Sequence, residues 1–216
     1  MNKIILWILG IIIIGGGAFL YATRPVQTDT TVATNETVAK EQLAATAPEQ
    51  KLYRIDSANS KVQFSITEEL RGKPFTAVGT TNQVAGDIIV GTTDGKASLT
   101  AGTITIDANT FKTDSAQRDG AITRFIIKTG TEGNQYITFK ATSISALPAV
   151  IETGKPFSFT ATGNLTLAGI TKPATLAVTA TQTDSALTGT IKSTLKRSDY
   201  SLTIPNIPFV ANVPDT

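Results

Sequence analysis

The sequence predicts an all-β protein: an antiparallel up-and-down barrel with a short helical insertion, preceded by an N-terminal transmembrane helix. Three observations predict it. Apolar and polar residues alternate with a period of two after Tyr53, turn-forming residues separate the alternating segments, and residues 4–22 carry no charge. A sandwich of two sheets fits the same alternation.

The N-terminal run, residues 4–22, is 19 residues long. As a helix rising about 1.5 Å per residue it would cross about 28 Å, close to the hydrocarbon thickness of a bilayer. Signal peptides usually have a shorter apolar centre, which favours a retained single-pass anchor, although Gly16-Gly17-Ala18 also suits cleavage. Lys3 and Arg24 flank the run, so charge orients it only weakly, and we expect the rest of the chain on the extracytoplasmic side, periplasmic or extracellular.

The rest of the chain divides into a linker and one domain. Residues 24–51 contain no aromatic residue and no apolar period, which predicts a flexible tether. The remainder is long enough for one domain with a hydrophobic core and too short for two ordinary ones. We therefore predict an anchor or signal peptide over residues 1–23, a linker over 24–51 and a barrel domain over 52–216.

Six segments alternate as half-buried strands do. The clearest places Phe157, Phe159, Ala161, Gly163, Leu165 and Leu167 on one face. The other stripes are Val62, Phe64 and Ile66; Val84, Gly86, Ile88 and Val90; Ile137, Phe139 and Ala141; Leu176, Val178 and Ala180; and Leu187, Gly189, Ile191, Ser193 and Leu195. With turns at residues 93–96, 152–156, 168–170 and 183–185, we expect roughly eight strands at hairpin spacing.

Residues 114–127 break this period. Asp114 is a suitable N-cap, and Ile122, Phe125 and Ile126 share one face at helical spacing. We therefore predict a short helix inserted between two strands.

Composition excludes most catalytic and nucleic-acid functions. The chain has no histidine and no cysteine, which removes the commonest general base, thiolate metal sites and Ser-His or Cys-His nucleophiles. The net charge of +2 is spread over 19 basic and 17 acidic residues without a basic run, so nucleic-acid binding lacks its electrostatic footprint. We expect no catalytic residue, no cofactor, no metal site and no nucleic-acid partner.

The inward stripes mix large residues with very small ones. Phe157 and Phe159 are in line with Ala161 and Gly163, which leaves room for a hollow lumen. A filled core that packs small residues against large ones fits the same stripe, so both interpretations stay open.

Four elements of the domain match a known pattern in order and spacing. They are residues 53–56 with Ser60, Val62 and Phe64; Arg118-Asp119 with residues 136–141; residues 165–173, LTLAGITKP; and Arg197-Ser198-Asp199-Tyr200. On these residues the chain resembles the YceI-like polyisoprenoid-binding family, secreted bacterial proteins with an extended lipocalin-like barrel around a long lipid. Agreement over about 150 residues argues against a chance match.

The resemblance implies a carrier or store of an isoprenoid or other long apolar lipid, and the N-terminal run predicts that this carrier is membrane-tethered and extracytoplasmic. The candidate ligand-binding residues, which would contact the lipid without catalysis, are Phe64, Ile66, Phe139, Phe157, Phe159, Gly163, Leu165 and Leu167. Two other functions remain open. An envelope protein-binding module with a packed, ligand-free barrel would need exposed apolar surface, and an enzyme acting on a lipid would need acidic residues converging at the lumen mouth.

The chain departs from the family pattern at two positions that bear on the head group. Asn59 and Ala168 stand where the family often carries histidine, which puts those contacts in doubt. Arg118 is expected to pair with Asp119 or Asp114, the alternative being an anionic head group.

A third departure is at the carboxyl end, where the family usually continues into a last strand. Three prolines interrupt residues 203–216, so we expect an extended, poorly paired arm beside an imperfectly closed barrel.

Overall fold

The computed structural model describes residues 5–13, 43–47, 49–206 and 210–216. Its strands are β1 (Ile5–Ile13), β2 (Lys51–Ile55), β3 (Lys61–Leu70), β4 (Lys73–Thr81), β5 (Val84–Ala85), β6 (Asp87–Thr93), β7 (Lys96–Ala101), β8 (Ile104–Asp107), β9 (Tyr136–Ser145), β10 (Pro156–Leu167), β11 (Ile170–Gln182), β12 (Ala186–Thr194) and β13 (Val210–Ala211). Helix α1 (Ala116–Ala121) and a π-helix (Ile122–Ile126) lie between β8 and β9. The prediction of an all-β fold of antiparallel strands with one short helical insertion is confirmed for β2 to β13, but the described strands form one curled sheet of 13 strands rather than a barrel of roughly eight.

Tight turns fix the register of three hairpins. Both central residues are left-handed in Arg71-Gly72, Asp94-Gly95 and Ala168-Gly169, with φ between 50° and 75°. Two such residues make the turns that match the natural twist of paired strands, and they join β3 to β4, β6 to β7 and β10 to β11. The turns expected at residues 93–96 and 168–170 are confirmed.

The sheet curls because the chain bends at Gly86. The stripe from Val84 to Val90 divides there into β5, which pairs with β8, and β6, which pairs with β2 and β7. The φ of Gly86 is +156°, a backbone conformation that residues with a side chain rarely adopt, so this corner favours glycine.

Strand β1 lies between β12 and the pair β2 and β3, and all three pairings are parallel. The predicted transmembrane helix is therefore not supported over residues 5–13, while residues 4 and 14–22 lie outside the described residues. The physical reason is that the edges of β12 and β3 expose backbone groups, which an extended segment satisfies by hydrogen bonding. Among the described residues, no helix is both long enough and apolar enough to cross a membrane.

The helical insertion differs from its prediction in two details. Ser115, not Asp114, is the N-cap, and its side chain accepts a hydrogen bond from the amide of Arg118. Phe125 is 58% exposed, whereas Ile122 is buried. The cause is the π-helical turn, in which the amide of Ile127 donates to the carbonyl of Ile122 at 2.8 Å. This wider turn brings residues four and five apart, rather than three, to the same face.

Strand β2 is fastened by two polar contacts. Arg54 binds Asp87 on β6 through two hydrogen bonds of 2.9 and 3.1 Å, and this contact raises the pKa of the arginine. Tyr53 is fully buried and accepts a hydrogen bond of 2.6 Å from the side chain of Gln182, and burial raises the pKa of its hydroxyl. These contacts tie the first strand of the domain to β6 and to the end of β11.

The described part of the C-terminal arm is extended, as expected, and is held at a few points. Strand β13 pairs with Leu70 and Glu69 of β3. The guanidinium of Arg197 donates to the carbonyls of Pro214, Leu202 and Val213 at 2.8 to 3.2 Å. The arm is therefore held by Arg197, by hydrogen bonds from Ser198 to Asp215 and by one short strand pairing.

Candidate functional site

A cavity of about 310 Å³, the main cavity, lies between the sheet and the helical insertion. Most of its wall is apolar, from Phe64, Ile66, Leu70, Ala77, Phe111, Ile122, Ile126, Ile127, Ile137, Leu167, Leu202, Ile204 and Val210. The volume is at the lower end of the range typical of small-molecule pockets. Its polar lining residues are Glu68, Arg71, Ser115, Gln117, Arg118 and Arg197.

A second cavity of about 60 Å³ lies further along the sheet and is lined almost wholly by apolar side chains. These include Ile88, Leu99, Ile104, Phe139, Ile144, Phe159, Ala161, Leu176, Val178, Leu187 and Ile191. Along β10 the second cavity is reached at Phe159 and Ala161 and the main cavity at Leu167, so Gly163 and Leu165 occupy the stretch between them.

The structure places five of the eight candidate ligand-binding residues in the walls of the two cavities. Phe64, Ile66 and Leu167 line the main cavity. Phe139 and Phe159 line the second. Phe157, Gly163 and Leu165 are not among the lining residues of either, and Phe157 instead stacks on Phe159 with 6.0 Å between ring centroids.

The space that the sequence assigned to Gly163 is occupied by protein. A Cβ atom there would overlap the carbonyl oxygen of Lys140 and lie 2.8 Å from both Cα of Ala141 and Cζ of Phe139. The register between β9 and β10 also shifts at this point. Gly163 therefore allows a close approach of backbone and ring.

Phe64 is positioned by a similar cross-strand pair. It is opposite Gly79 in the register of β3 and β4, and a Cβ atom at Gly79 would overlap its ring. The ring of Phe111 meets that of Phe64 edge to face, with centroids 5.2 Å apart. Gly79 and Phe111 therefore set the orientation of one wall of the main cavity.

Arg118, which lines the main cavity, contacts three other segments of the chain. It pairs with Asp114, which was one of its two predicted acidic partners, and with Glu68 at 3.4 Å. Its guanidinium also lies 5.0 Å from the ring centroid of Phe75. The arrangement joins the helical insertion to β3 and β4.

Asp119, the other expected partner of Arg118, lies elsewhere. It accepts hydrogen bonds of 2.7 Å from the backbone and hydroxyl of Thr113 and is 3.6 Å from Lys112. Burial opposes ionisation, but the bonds from Thr113 and the charge of Lys112 lower the pKa of this carboxyl below its ordinary 3.8. Asp119 therefore stabilises the start of the helical insertion.

The two positions that depart from the family pattern are in turns. Asn59 donates a hydrogen bond of 2.7 Å to Asp56 within a single 3-10 turn. Ala168 is the first left-handed residue of the hairpin between β10 and β11.

Sequence reasoning missed part of the main cavity, because that part of its wall comes from segments without a period of two. Ile127, Leu202 and Ile204 come from the end of the insertion and from the arm. Ile122 and Ile126 had a signal in their helical spacing, and Ala77 had one in its alternation with Thr76 and Val78 on β4.

The family model of the YceI-like domain matches residues 53–216, which is more than half of the chain. The chain belongs to the YceI-like family. No curated protein matches it in sequence. The YceI-like domain accounts for β2 to β13 except for the first two residues of β2, so both cavities are within it.

Two solved structures show the same fold as this YceI-like domain. The crystal structure of Burkholderia cenocepacia BcnA matches with a TM-score of 0.52 at 20% identity, covering 73% of this chain and 92% of that one. A polyisoprenoid-binding domain from Saccharophagus degradans, implicated in plant cell wall breakdown, matches with a TM-score of 0.52 at 15% identity, covering 77% and 91%.

Proposed function

We propose that this protein is a membrane-tethered, extracytoplasmic carrier that binds a long apolar lipid of the polyisoprenoid type. The observation that carries the proposal is the main cavity, whose walls are largely aromatic and aliphatic side chains. The Saccharophagus degradans domain of the same fold is a polyisoprenoid-binding domain, which points to the same ligand class.

The energy of such binding would come from burial of the hydrocarbon. A fully buried methylene group contributes about 0.8 kcal/mol, or roughly 4 kcal/mol for a five-carbon isoprene unit. Association costs on the order of 4 to 15 kcal/mol, so two or three buried units offset it. Longer chains would need the main and second cavities to join, past Phe139 and Leu165.

The polar lining residues suit binding better than chemistry. Glu68 and Arg118 are paired with each other, and the chain contains no histidine or cysteine. The rival interpretation, a packed core that serves only as a protein-binding module, is disfavoured by a cavity of this size.

The proposed tether is the uncharged run at residues 4–22, which is long enough to span a bilayer as a helix. A membrane span and strand β1 are alternative uses of the same residues, since no residue can be in both. In the tethered chain, the edges of β12 and β3 would therefore be without β1.

The test compares two substitutions at neighbouring positions of β4. Ala77 is 2% exposed and lines the main cavity, whereas Val78 is 38% exposed and points outward. We expect lipid extraction and native mass spectrometry to recover bound lipid from the full chain and from Val78→Phe, and little from Ala77→Phe. Equal lipid content in the two folded variants would contradict the proposal.

A further inference from the structure

The π-helical turn exposes an aromatic side chain beside the main cavity. Phe125 is 58% exposed, and only Val78 and Val150 are also exposed large hydrophobic residues in the described part of the chain. On the opposite face of the same turn, Ile122 and Ile126 line the main cavity. The segment thus separates the cavity from solvent with a single layer of residues.

Two exposed cationic residues lie close in sequence to Phe125. Arg124 and Lys128 are exposed, and neither side chain makes an ion pair or hydrogen bond among the described residues. The nearby carboxylates of the helix are engaged, Asp114 by Arg118 and Asp119 by Thr113 and Lys112. The exposed acid closest in sequence is Glu132, beyond the turn at residues 129–131. The exposed segment of Arg124, Phe125 and Lys128, which runs from the π-helical turn to just beyond its end and is here called the outer helical face, is therefore locally basic.

We propose that the outer helical face docks on the surface of an anionic lipid bilayer, with Phe125 inserted at the level of the head groups. Aromatic side chains partition to this interface, and neighbouring arginine and lysine side chains are attracted to anionic head groups. π-Helical turns occur frequently at functional sites, and here the turn is what directs Phe125 outward.

A bilayer fits this face better than a protein does. A stable protein interface buries a wide patch with an apolar centre, whereas the outer helical face offers one aromatic ring between two unpaired cations. An exposed aromatic ring beside arginine and lysine side chains suits the interface of an anionic bilayer. The role of this docking rests on the proposed function, because docking would bring the cavity wall against the membrane from which the lipid is taken.

The absence of cysteine from the chain allows a site-specific test. Phe125→Cys, carrying the environment-sensitive fluorophore NBD, is compared in the full chain with Val150→Cys, whose position is 67% exposed. With phosphatidylcholine vesicles containing phosphatidylglycerol, we expect a blue shift and a roughly two-fold or greater rise in emission at position 125. The label at position 150 should not respond, and pure phosphatidylcholine should give a smaller response at 125.

Charge reversal completes the test. Arg124→Glu with Lys128→Glu should abolish the response at position 125. Lys96→Glu with Lys172→Glu, two other exposed lysines, should not. Equal fluorescence responses at positions 125 and 150 would overturn the proposal, and so would a response at position 125 that survives charge reversal. Binding of a protein partner without any fluorescence response to vesicles would also overturn it. Lipid extraction from the same variants separates this outcome from failure of lipid binding, because none of these substitutions lines either cavity.

Discussion

The ring of Phe139 lies over Gly163 on the neighbouring strand, with Cζ 2.8 Å from the place of a Cβ atom. Phe64 and Gly79 form a second pair of this kind between β3 and β4. In both pairs the missing side chain leaves space for an aromatic ring of the cavity wall. The two glycines differ in what surrounds them, and that difference is testable.

Gly79→Ala should destabilise the fold by about 1 to 3 kcal/mol through overpacking, because the new methyl group meets the Phe64 ring. The three nearest atoms all belong to that side chain. Phe64→Leu should therefore restore part of the loss, as measured by chemical unfolding of the single and double variants.

Gly163 provides the matched control. The nearest atoms to its Cβ position belong to the backbone of Lys140 and Ala141, so Phe139→Leu should not relieve Gly163→Ala. Comparable rescue at both sites would show that the two glycines serve the same purpose and would contradict this account.

The ion pair between Arg118 and Glu68 predicts a strong coupling. Their side chains are 21% and 9% exposed, so Arg118→Met leaves the carboxylate of Glu68 without its cation in a largely buried place. We expect a loss of about 1 to 3 kcal/mol in the free energy of unfolding. Glu68→Leu should recover most of it in the double variant. Additive losses of unfolding free energy in the double-mutant cycle would show that Arg118 and Glu68 do not stabilise the fold as a pair.

Acid should break the contact of Asp215 with Ser198, one of the contacts that hold the C-terminal arm. Hydrogen bonds from the hydroxyl and amide of Ser198 lower the pKa of Asp215 below its ordinary 3.8, against a small effect of burial. The folded state therefore binds this proton less readily than the free arm, so the contact is complete above pH 3.8 and is lost as the pH falls through the lowered pKa. Hydrogen exchange of the Ser198 amide, compared with Asp215→Asn at each pH, should show protection that disappears below pH 3.8 only in the parent chain. Identical profiles for the two chains would contradict the role of Asp215.

The tether is tested by charge in the N-terminal run. Ile11→Asp with Ile12→Asp places two carboxylates within residues 4–22, at about 3 kcal/mol each for a helix in a membrane. We expect the variant to leave the alkali-resistant membrane fraction while the parent chain stays in it. Retention of the variant in that fraction would argue against this span.

The strands with a strict period of two were predictable. Alternation over residues 157–167 predicts a strand, and β10 covers Pro156–Leu167. The surroundings of individual small residues could not be predicted. Whether Gly163 faces a void or a ring depends on Phe139, which is distant in sequence. The outward turn of Phe125 depends on π-helical hydrogen bonding, to which helical spacing gives no clue.

The central claim, that a polyisoprenoid-type lipid lies in the main cavity, is tested most directly by photocrosslinking. A polyisoprenoid analogue with a diazirine on its chain is bound to the full protein, irradiated and mapped by peptide mass spectrometry. The account predicts adducts on cavity-lining residues such as Ile66, Ala77 and Ile122, and their loss in Ala77→Phe. Adducts confined to residues 4–22 or to outward positions such as Val78 would contradict it.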